Sequence, residues 1–456
     1  MDRKKEETEL YILTNGKLIT RDPAAKGYYE HGAVVFEGTK IVEVGEEAAL
    51  TPKYPQAEKI DAKGGVIMPA LINAHTHIYS ALARGLSIAG NNPTNFFEVL
   101  DGTWWAIDRH LTLEGTRASA DALYIDCIKQ GVTTIFDHHA SYCQIPGSLF
   151  QIGESAKKFG VRSCLCYEVS DRDGEEKCLE AIQENADWIT YCKEHNDPML
   201  AAMFGGHALF TISDKTFDRM VAANNGHTGY HIHVSEGMND VYDSLQNYGR
   251  RPVQRLQDHG ILGEKTILGH CIHVNTAEME IIQETGTMVV NNPESNMGNA
   301  IGICPVLQLY KRGILLGMGT DAYTNDMLES IKVALCSQRS QNCLPNVGWC
   351  EVTDMLFKNN AKIGAKYFPD ELGVLKAGAA ADIIVMDYKP FTPFSDENID
   401  GHMIFGMTGR QCQTTIAAGK ILMKDRELVG IDEEAENAHI LEAAKKLWGS
   451  LNHREY

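Results

Sequence analysis

The chain has 456 residues, 44% hydrophobic, 8% aromatic and 23% charged, the composition of a globular protein too long for one compact core. Lys and Arg total 42 against 61 Asp and Glu, a formal charge of −19 that argues against nucleic-acid binding, which needs clustered cations. No run reaches the roughly 18 apolar residues of a membrane span, no apolar signal-peptide core follows the charged opening residues, and the twelve cysteines include no CxxC pair. A cytoplasmic protein without membrane or nucleic-acid partners is the expectation, since so dilute a set of thiols makes no disulfide scaffold.

The opening runs, LYILTNGKLITR and AVVFEGTKIVEVGEE, alternate apolar with polar residues and are punctuated at Asn15-Gly16 and Glu37-Gly38, which predicts short strands and turns. Near the other end, ADIIVMDYKP (381–390) and TTIAAGKILMKDRELVG (414–430) have the same character. Each end alone has too few strands to bury a face. A small β-sandwich domain built from residues 1–66 and 370–430 is therefore predicted, and the apolar spacing of the 431–456 stretch predicts a docking helix.

Residues 67–369 alternate strand-like runs with segments rich in Ala, Glu, Lys and Leu. The runs are GVIMPALINAHTH (65–77), VTTIFDHH (132–139), RSCLCYEV (162–169) and MLAAMFGGHA (199–208), then GYHIHVSE (229–236), KTILGHC (265–271), TMVVNNP (287–293) and ILLGMGTDAY (314–323). Such a rhythm over about 260 residues matches a (β/α)8 TIM barrel, an α/β fold. A doubly wound open sheet is the alternative, but no GxGxxG follows a strand. Cys164 and Cys166 alternate along the third run and read as core thiols in preference to a redox pair.

Polar residues collect at the ends of these runs. His75 and His77 end the first, Asp137, His138 and His139 the second, and His207 the fourth; His233 and Glu236 end the fifth, His270 the sixth and Asp321 the eighth. A barrel brings its strand tips to one rim, where the active sites of this fold occur. His75 and His77, two residues apart on a strand, point to one side and can share a cation. Singly, each motif has an ordinary alternative: a core His pair, or an N-cap for Asp321. Together, three imidazoles, a carboxylate and a water describe an open catalytic metal site, whereas a closed structural zinc site would use cysteines. Glu236, three residues beyond His233, can reach over the metal; His270 is a further ligand or, better, a hydrogen-bond partner of the water there.

These runs resemble the amidohydrolase superfamily, specifically its branch of deaminases and chlorohydrolases. The similarity extends through VIMPALINAHTH, GVTTIFDHH, FGGHALFTISD, YHIHVSE, ILGHCIHV, NNPESNMGNA and LGMGTDAYTND, in order, to GVLKAGAAADIIVMD. Through DHHAS (137–141), NNPESNMGNA and TWWAIDRHLT (103–112) it is most similar to the aminohydrolases associated with selenium and purine metabolism. Ala70 departs from the usual Gly after Pro69, and Glu294 stands where a small residue is common.

The resemblance implies metal ligation by His75, His77, His233 and Asp321, with Glu236, His270 and Asp321 catalytic and His207 facing the substrate. It implies one divalent metal, because no Lys ends the fourth strand and Lys215 comes too late; zinc is the default, with iron and manganese tolerating the same donors. The expected substrate is a purine-like nitrogen heterocycle, an oxidised purine such as a dioxopurine, with either deamination or ring opening of a cyclic amide; a triazine or pyrimidine aminohydrolase is the alternative. In the expected chemistry a metal-activated water attacks, Asp321 accepts its proton, His270 aligns its oxygen, and Glu236 protonates the ring and leaving nitrogens.

For the substrate wall, Phe96, Phe97, Trp104 and Trp105 in the 92–112 segment could stack on a flat ring or serve as core or dimer contacts. Arg84 is expected either to hold a carbonyl oxygen or to form a surface ion pair, and His139 is favoured over His138 to face the pocket. A homo-oligomer, first of all a dimer, is expected. A non-catalytic scaffold of this fold would have lost its ligands, and a zinc-dependent nucleic-acid deaminase would need PCxxC, which is absent.

Overall fold

A computed structural model describes residues 9–456, so the charged opening residues 1–8 of the expected composite domain lie outside the described residues. The chain begins with β1 (Leu10–Ile19), β2 (Tyr28–Glu37), β3 (Lys40–Glu46), β4 (Glu58–Asp61) and β5 (Val66–Pro69). Asn15-Gly16 does not turn the chain. It forms an irregularity within β1, with Asn15 in the left-handed region at φ 58° and the register with β2 shifting between Leu13 and Gly16. The shift divides the strand: Tyr11–Thr14 pair with β4, and Lys17 and Leu18 pair with β5. Glycine is required opposite this point, since a Cβ on Gly32 would lie 2.2 Å from the Leu18 Cβ.

Next come β6 (Leu71–Thr76), β7 (Val132–His139), β8 (Arg162–Tyr167), β9 (Leu200–Ala202), β10 (Phe204–Ala208), β11 (Tyr230–Val234), β12 (Ile267–His270), β13 (Met288–Asn291) and β14 (Leu316–Met318). β6 to β9 form one parallel arc and β10 to β14 another. Parallel bridges Thr76↔Asp321 and Val169↔Gly206 join the arcs at both seams. With β9 and β10 as halves of one strand broken at Met203, this is the eight-stranded (β/α)8 arrangement. Helices such as Leu113–Gln130, Ser148–Phe159 and Glu175–His195 fill the crossovers.

Burial follows strand alternation. Along β8, Cys164 and Cys166 join an inner core with Phe136, Met203, Met288 and Val290. Leu165 and Tyr167 instead pack outward among residues that include Ile135, Phe204 and the helix residue Ile152.

The chain then returns through β15 (Ile383–Met386), β16 (Cys412–Ala417), β17 (Lys420–Lys424) and β18 (Glu427–Leu428). These strands join those of the other end in one nine-stranded sheet, ordered β18-β17-β16-β15-β5-β1-β2-β3 with β4 on β1. Its apolar core mixes Leu13, Val34, Phe36 and Ile67 with Leu375, Ile383, Val385 and Ile416. At the start of β8 the buried Arg162 pairs with Asp382, which also accepts from Thr133 Oγ1 at 3.1 Å and Ala418 N at 2.7 Å, tying this sheet to the barrel. The helix Glu433–Asn452 docks on the barrel, where Trp448 Nε1 donates to the Leu82 carbonyl at 2.7 Å. Among the described residues no helix is long and apolar enough to cross a membrane.

Candidate metal centre and active site

The tips of β6, β7, β8, β10, β11, β12 and β14 converge on one buried cluster. Several of them end in backbone that non-glycine residues seldom adopt: Ser235, His270 and Asp321 have φ of 49°, 67° and 57°. Gly319 allows the eighth tip to lie against the first, because a Cβ there would come within 2.6 Å of the His75 carbonyl oxygen. Thr320 N and Asp321 N both donate to that carbonyl at 3.0 Å.

The imidazoles are fixed from behind. His77 Nδ1 donates to the His138 carbonyl at 2.6 Å, and His233 Nδ1 donates to the His207 carbonyl at 3.0 Å. Each Nε2 is therefore left with its lone pair aimed into the cluster, and the two lie only 3.2 Å apart. His77 Nε2 is 3.0 Å and His75 Nε2 3.9 Å from Asp321 Oδ1. His75 Nδ1 pairs with His231 Nε2 at 2.8 Å, while its buried Nε2 has no hydrogen-bond partner.

Facing lone pairs, an unsatisfied ring nitrogen and a carboxylate in one buried space call for a cation. Burial opposes charging His77, but Asp321 outweighs it and raises the imidazole to about 9, so the position between them favours a positive charge, a proton that a bound cation would replace. Burial and the neighbouring imidazoles hold His75 and His233 well below the usual range, as neutral ligands require. Donor atoms of His75, His77 and Asp321 lie within 4.8 Å of one another, as do those of His75, His233 and His270. The residues present fit a divalent metal.

Beside the cluster, His270 Nδ1 donates to Asn296 Oδ1 at 2.7 Å, which turns Nε2 to within 3.6 Å of both Glu236 Oε1 and Asp321 Oδ2. Burial raises the Glu236 carboxyl well above the carboxylate range, and the Asp321, Asp240 and Glu168 carboxylates add to it. Ser295 Oγ donates to Asp321 Oδ2. These groups open into a cavity lined by His77, His207, His233, Glu236 and Asp321 on one side and by Tyr79, Phe96, Leu100 and Trp104 on another.

Seven of the residues singled out from sequence are thus brought together: His75, His77, His207, His233, Glu236, His270 and Asp321. Trp105 stands behind this wall. Phe96, Leu100 and Trp104 recur every four residues along a helical segment with a π turn at Leu100–Trp104 and share the cavity face. Trp105 Nε1 instead donates to His207 Nε2 at 3.4 Å. His139 is turned aside toward Ser141, with Nε2 3.1 Å from its Oγ. His138 is the member of the pair that packs on the cluster, its ring centroid 4.5 Å from that of His233. Arg84 lies outside the cavity, its side chain 72% exposed and paired with Asp126 Oδ2 at 3.1 Å, so the surface ion pair describes it. Lys215 is on the surface, paired with Glu175.

Glu168, which directly follows β8, lines the cavity although sequence reasoning passed over it. The signal was present: it is the acidic side chain near the C-terminal tip of the third run, the same feature that marked the other tips.

A metal-ready cluster at the C-terminal mouth of a (β/α)8 barrel, with a carboxylic acid and an imidazole beside it, defines a metal-dependent hydrolase. A model of the Amidohydrolase family matches residues 66–422, and one of the bacterial imidazolonepropionase-like composite domain matches residues 32–57. The chain is 30% identical over 452 residues to a 5'-deoxyadenosine deaminase of Methanosarcina mazei, covering 97% of this chain and 99% of that protein. In fold it is similar to a zinc-bound adenosine deaminase from Xanthomonas campestris, with a TM-score of 0.83 at 22% identity and coverage of 96% and 98%. It is also similar to an atrazine chlorohydrolase from Arthrobacter aurescens TC1 complexed with zinc, with a TM-score of 0.77 at 21% identity and coverage of 95% and 100%. The chain belongs to the Amidohydrolase family, in its deaminase branch, and is a metal-dependent enzyme acting on C–N bonds.

Proposed function

We propose that this enzyme removes an exocyclic amino group from a purine-like heterocycle by hydrolysis, with His75, His77, His233 and Asp321 holding one divalent ion. The observation that carries the proposal is the pairing of that ligand set with Glu236, whose burial keeps a proton on the carboxyl beside the ligands. Likeness to relatives named as deaminases supports deamination over ring opening.

A bound divalent ion supplies Lewis acidity and brings the pKa of a water down toward roughly 7. The residues do the remainder. Asp321 accepts the proton of the attacking water, and His270, with its Nε2 lone pair directed inward by Asn296, orients that water's oxygen. Glu236 gives its proton to the ring nitrogen beside the carbon under attack, takes the proton of the added hydroxyl as the carbonyl forms and passes it to the amino nitrogen, which leaves as ammonia; the proton held by Asp321 then restores Glu236. Phe96, Leu100 and Trp104 exclude water from one side of the ring.

Zinc suits three imidazoles and a carboxylate. A reducing, cytoplasmic setting agrees with twelve cysteines that are all unpaired. The test is to incubate the metal-loaded protein with purine bases, purine nucleosides and triazines while following free ammonia and product mass. Ammonia release with an intact ring is expected. Addition of water without ammonia would replace deamination with cyclic amide hydrolysis, and no reaction across the panel would overturn the proposal.

A further inference from the structure

Glu168 is a buried carboxylate that the proton transfers above do not use. It is 1% exposed at residue level, yet it lines the cavity with His207, Trp104 and Glu236. Its two oxygens differ. Oε2 accepts from His138 Nδ1 at 3.1 Å. Oε1 lies 3.7 Å from Arg172 Nη2 and 3.8 Å from His207 Nε2, both beyond hydrogen-bond range.

Neither neighbour is free to close on it. Arg172 Nη2 is drawn onto Asp108 Oδ2 at 2.5 Å, and His207 is held between Trp105 Nε1 at 3.4 Å and Thr211 Oγ1 at 2.9 Å. Burial works against charging Glu168, but the His138 hydrogen bond and the Arg172 guanidinium hold the carboxyl below the usual carboxylate range. The cavity wall therefore carries a fixed anion with an acceptor oxygen to spare. Covering that oxygen with a ligand that brings no donor leaves its hydrogen bond unmade in a buried site, which is costly, so the ligand is expected to bring the donor.

We propose that Glu168 is the specificity-determining residue of this site, its Oε1 accepting from a ring N–H at one edge of a purine base, an assignment that rests on the heterocycle-hydrolase reading above. The ligand class is a free base with an unsubstituted ring N–H. A methyl group, a bare ring nitrogen or an anion at that edge meets the carboxylate unfavourably. A sugar hydroxyl is another donor of the same chemistry, and the experiment separates the two.

Metal-loaded wild type and Glu168→Gln are compared by calorimetry with adenine, guanine, their 7- and 9-methyl derivatives, adenosine and guanosine, and ammonia release is followed in parallel. Wild type is expected to bind a free base at least about tenfold more tightly than its methylated form, and Glu168→Gln to bring the two within about threefold. Glu168→Asp keeps the charge beside Arg172 while withdrawing it from the cavity, and is expected to lose discrimination with unchanged metal content and melting. Discrimination that survives in both variants, or is absent in wild type, overturns the assignment; so does a Glu168→Gln defect confined to the nucleosides, which would make the donor a sugar hydroxyl. Binding that discriminates without ammonia release leaves Glu168 in its role and removes the deaminase reading. Ammonia release with unaltered discrimination in the variants does the reverse.

Discussion

Glu236 and His233 stand three residues apart at one strand tip and are expected to fail differently. Glu236→Gln removes the transferable proton but none of the four ligand atoms, so metal content should stay near wild type while kcat falls by on the order of 10²–10⁴-fold. His233→Ala removes the nitrogen 3.2 Å from His77 Nε2 and should weaken metal binding by at least about 100-fold, since losing even a residue that only supports a ligand costs 10–100-fold. Elemental analysis beside steady-state rates separates them; a metal-free Glu236→Gln, or a metal-replete His233→Ala, would reverse the assigned roles. These residues were legible because a strand tip is a sequence property, as His75 and His77 were from the period of two along a strand. Which of His138 and His139 turns inward was not legible. Ile135 and Phe136 are both apolar, so the alternation that places Phe136 and then His138 inside leaves no mark on the sequence. Arg84 was misleading for another reason: the short helix Ile78–Ala83 after His77 carries it out of the cavity to Asp126.

At the scale of elements, the order of strands was readable and their partners were less so. Asn15-Gly16 has turn chemistry, yet Asn15 reaches the left-handed region within a continuing strand, because β1 must serve β4 with one half and β5 with the other. The break at Met203 was hidden in a run whose apolar composition suits one strand as well as two. The Arg162–Asp382 pair joins residues 220 apart, which no local pattern encodes. It makes a stability prediction. Asp382→Ala leaves the buried guanidinium with no carboxylate closer than Asp370 Oδ2, 3.7 Å from Nη2, and should cost about 3–5 kcal/mol. Arg162→Met combined with Asp382→Leu should recover most of that loss, because a buried pair replaced by apolar groups is often nearly neutral. Urea unfolding monitored by circular dichroism reads both, and a double variant no more stable than Asp382→Ala would show that the pair's charges, and not the stranded guanidinium, carry the effect.

Across the whole molecule, the metal cluster and this ion pair sit at opposite ends of the same strands. Arg162 begins β8 and Glu168 follows its other end; Thr133 lies at the start of β7, whose last residues are His138 and His139. Two sites so separated and sharing no side chain should contribute to stability additively. Removing the metal with a chelator should lower the melting temperature, since an ion present at about a thousand times its Kd stabilises the folded state by roughly 4 kcal/mol. Asp382→Ala should lower metal-loaded and chelated protein by similar amounts, leaving the gap between them intact. His233→Ala should close that gap while leaving the chelated protein close to chelated wild type. Wild type and Asp382→Ala, each with and without chelator, form a thermodynamic square measurable by scanning calorimetry, and His233→Ala is its control. A gap that shrinks in Asp382→Ala would mean that the composite sheet reaches through the barrel to the ligands, which would make the sheet drawn from both chain ends a determinant of metal affinity as well as of folding.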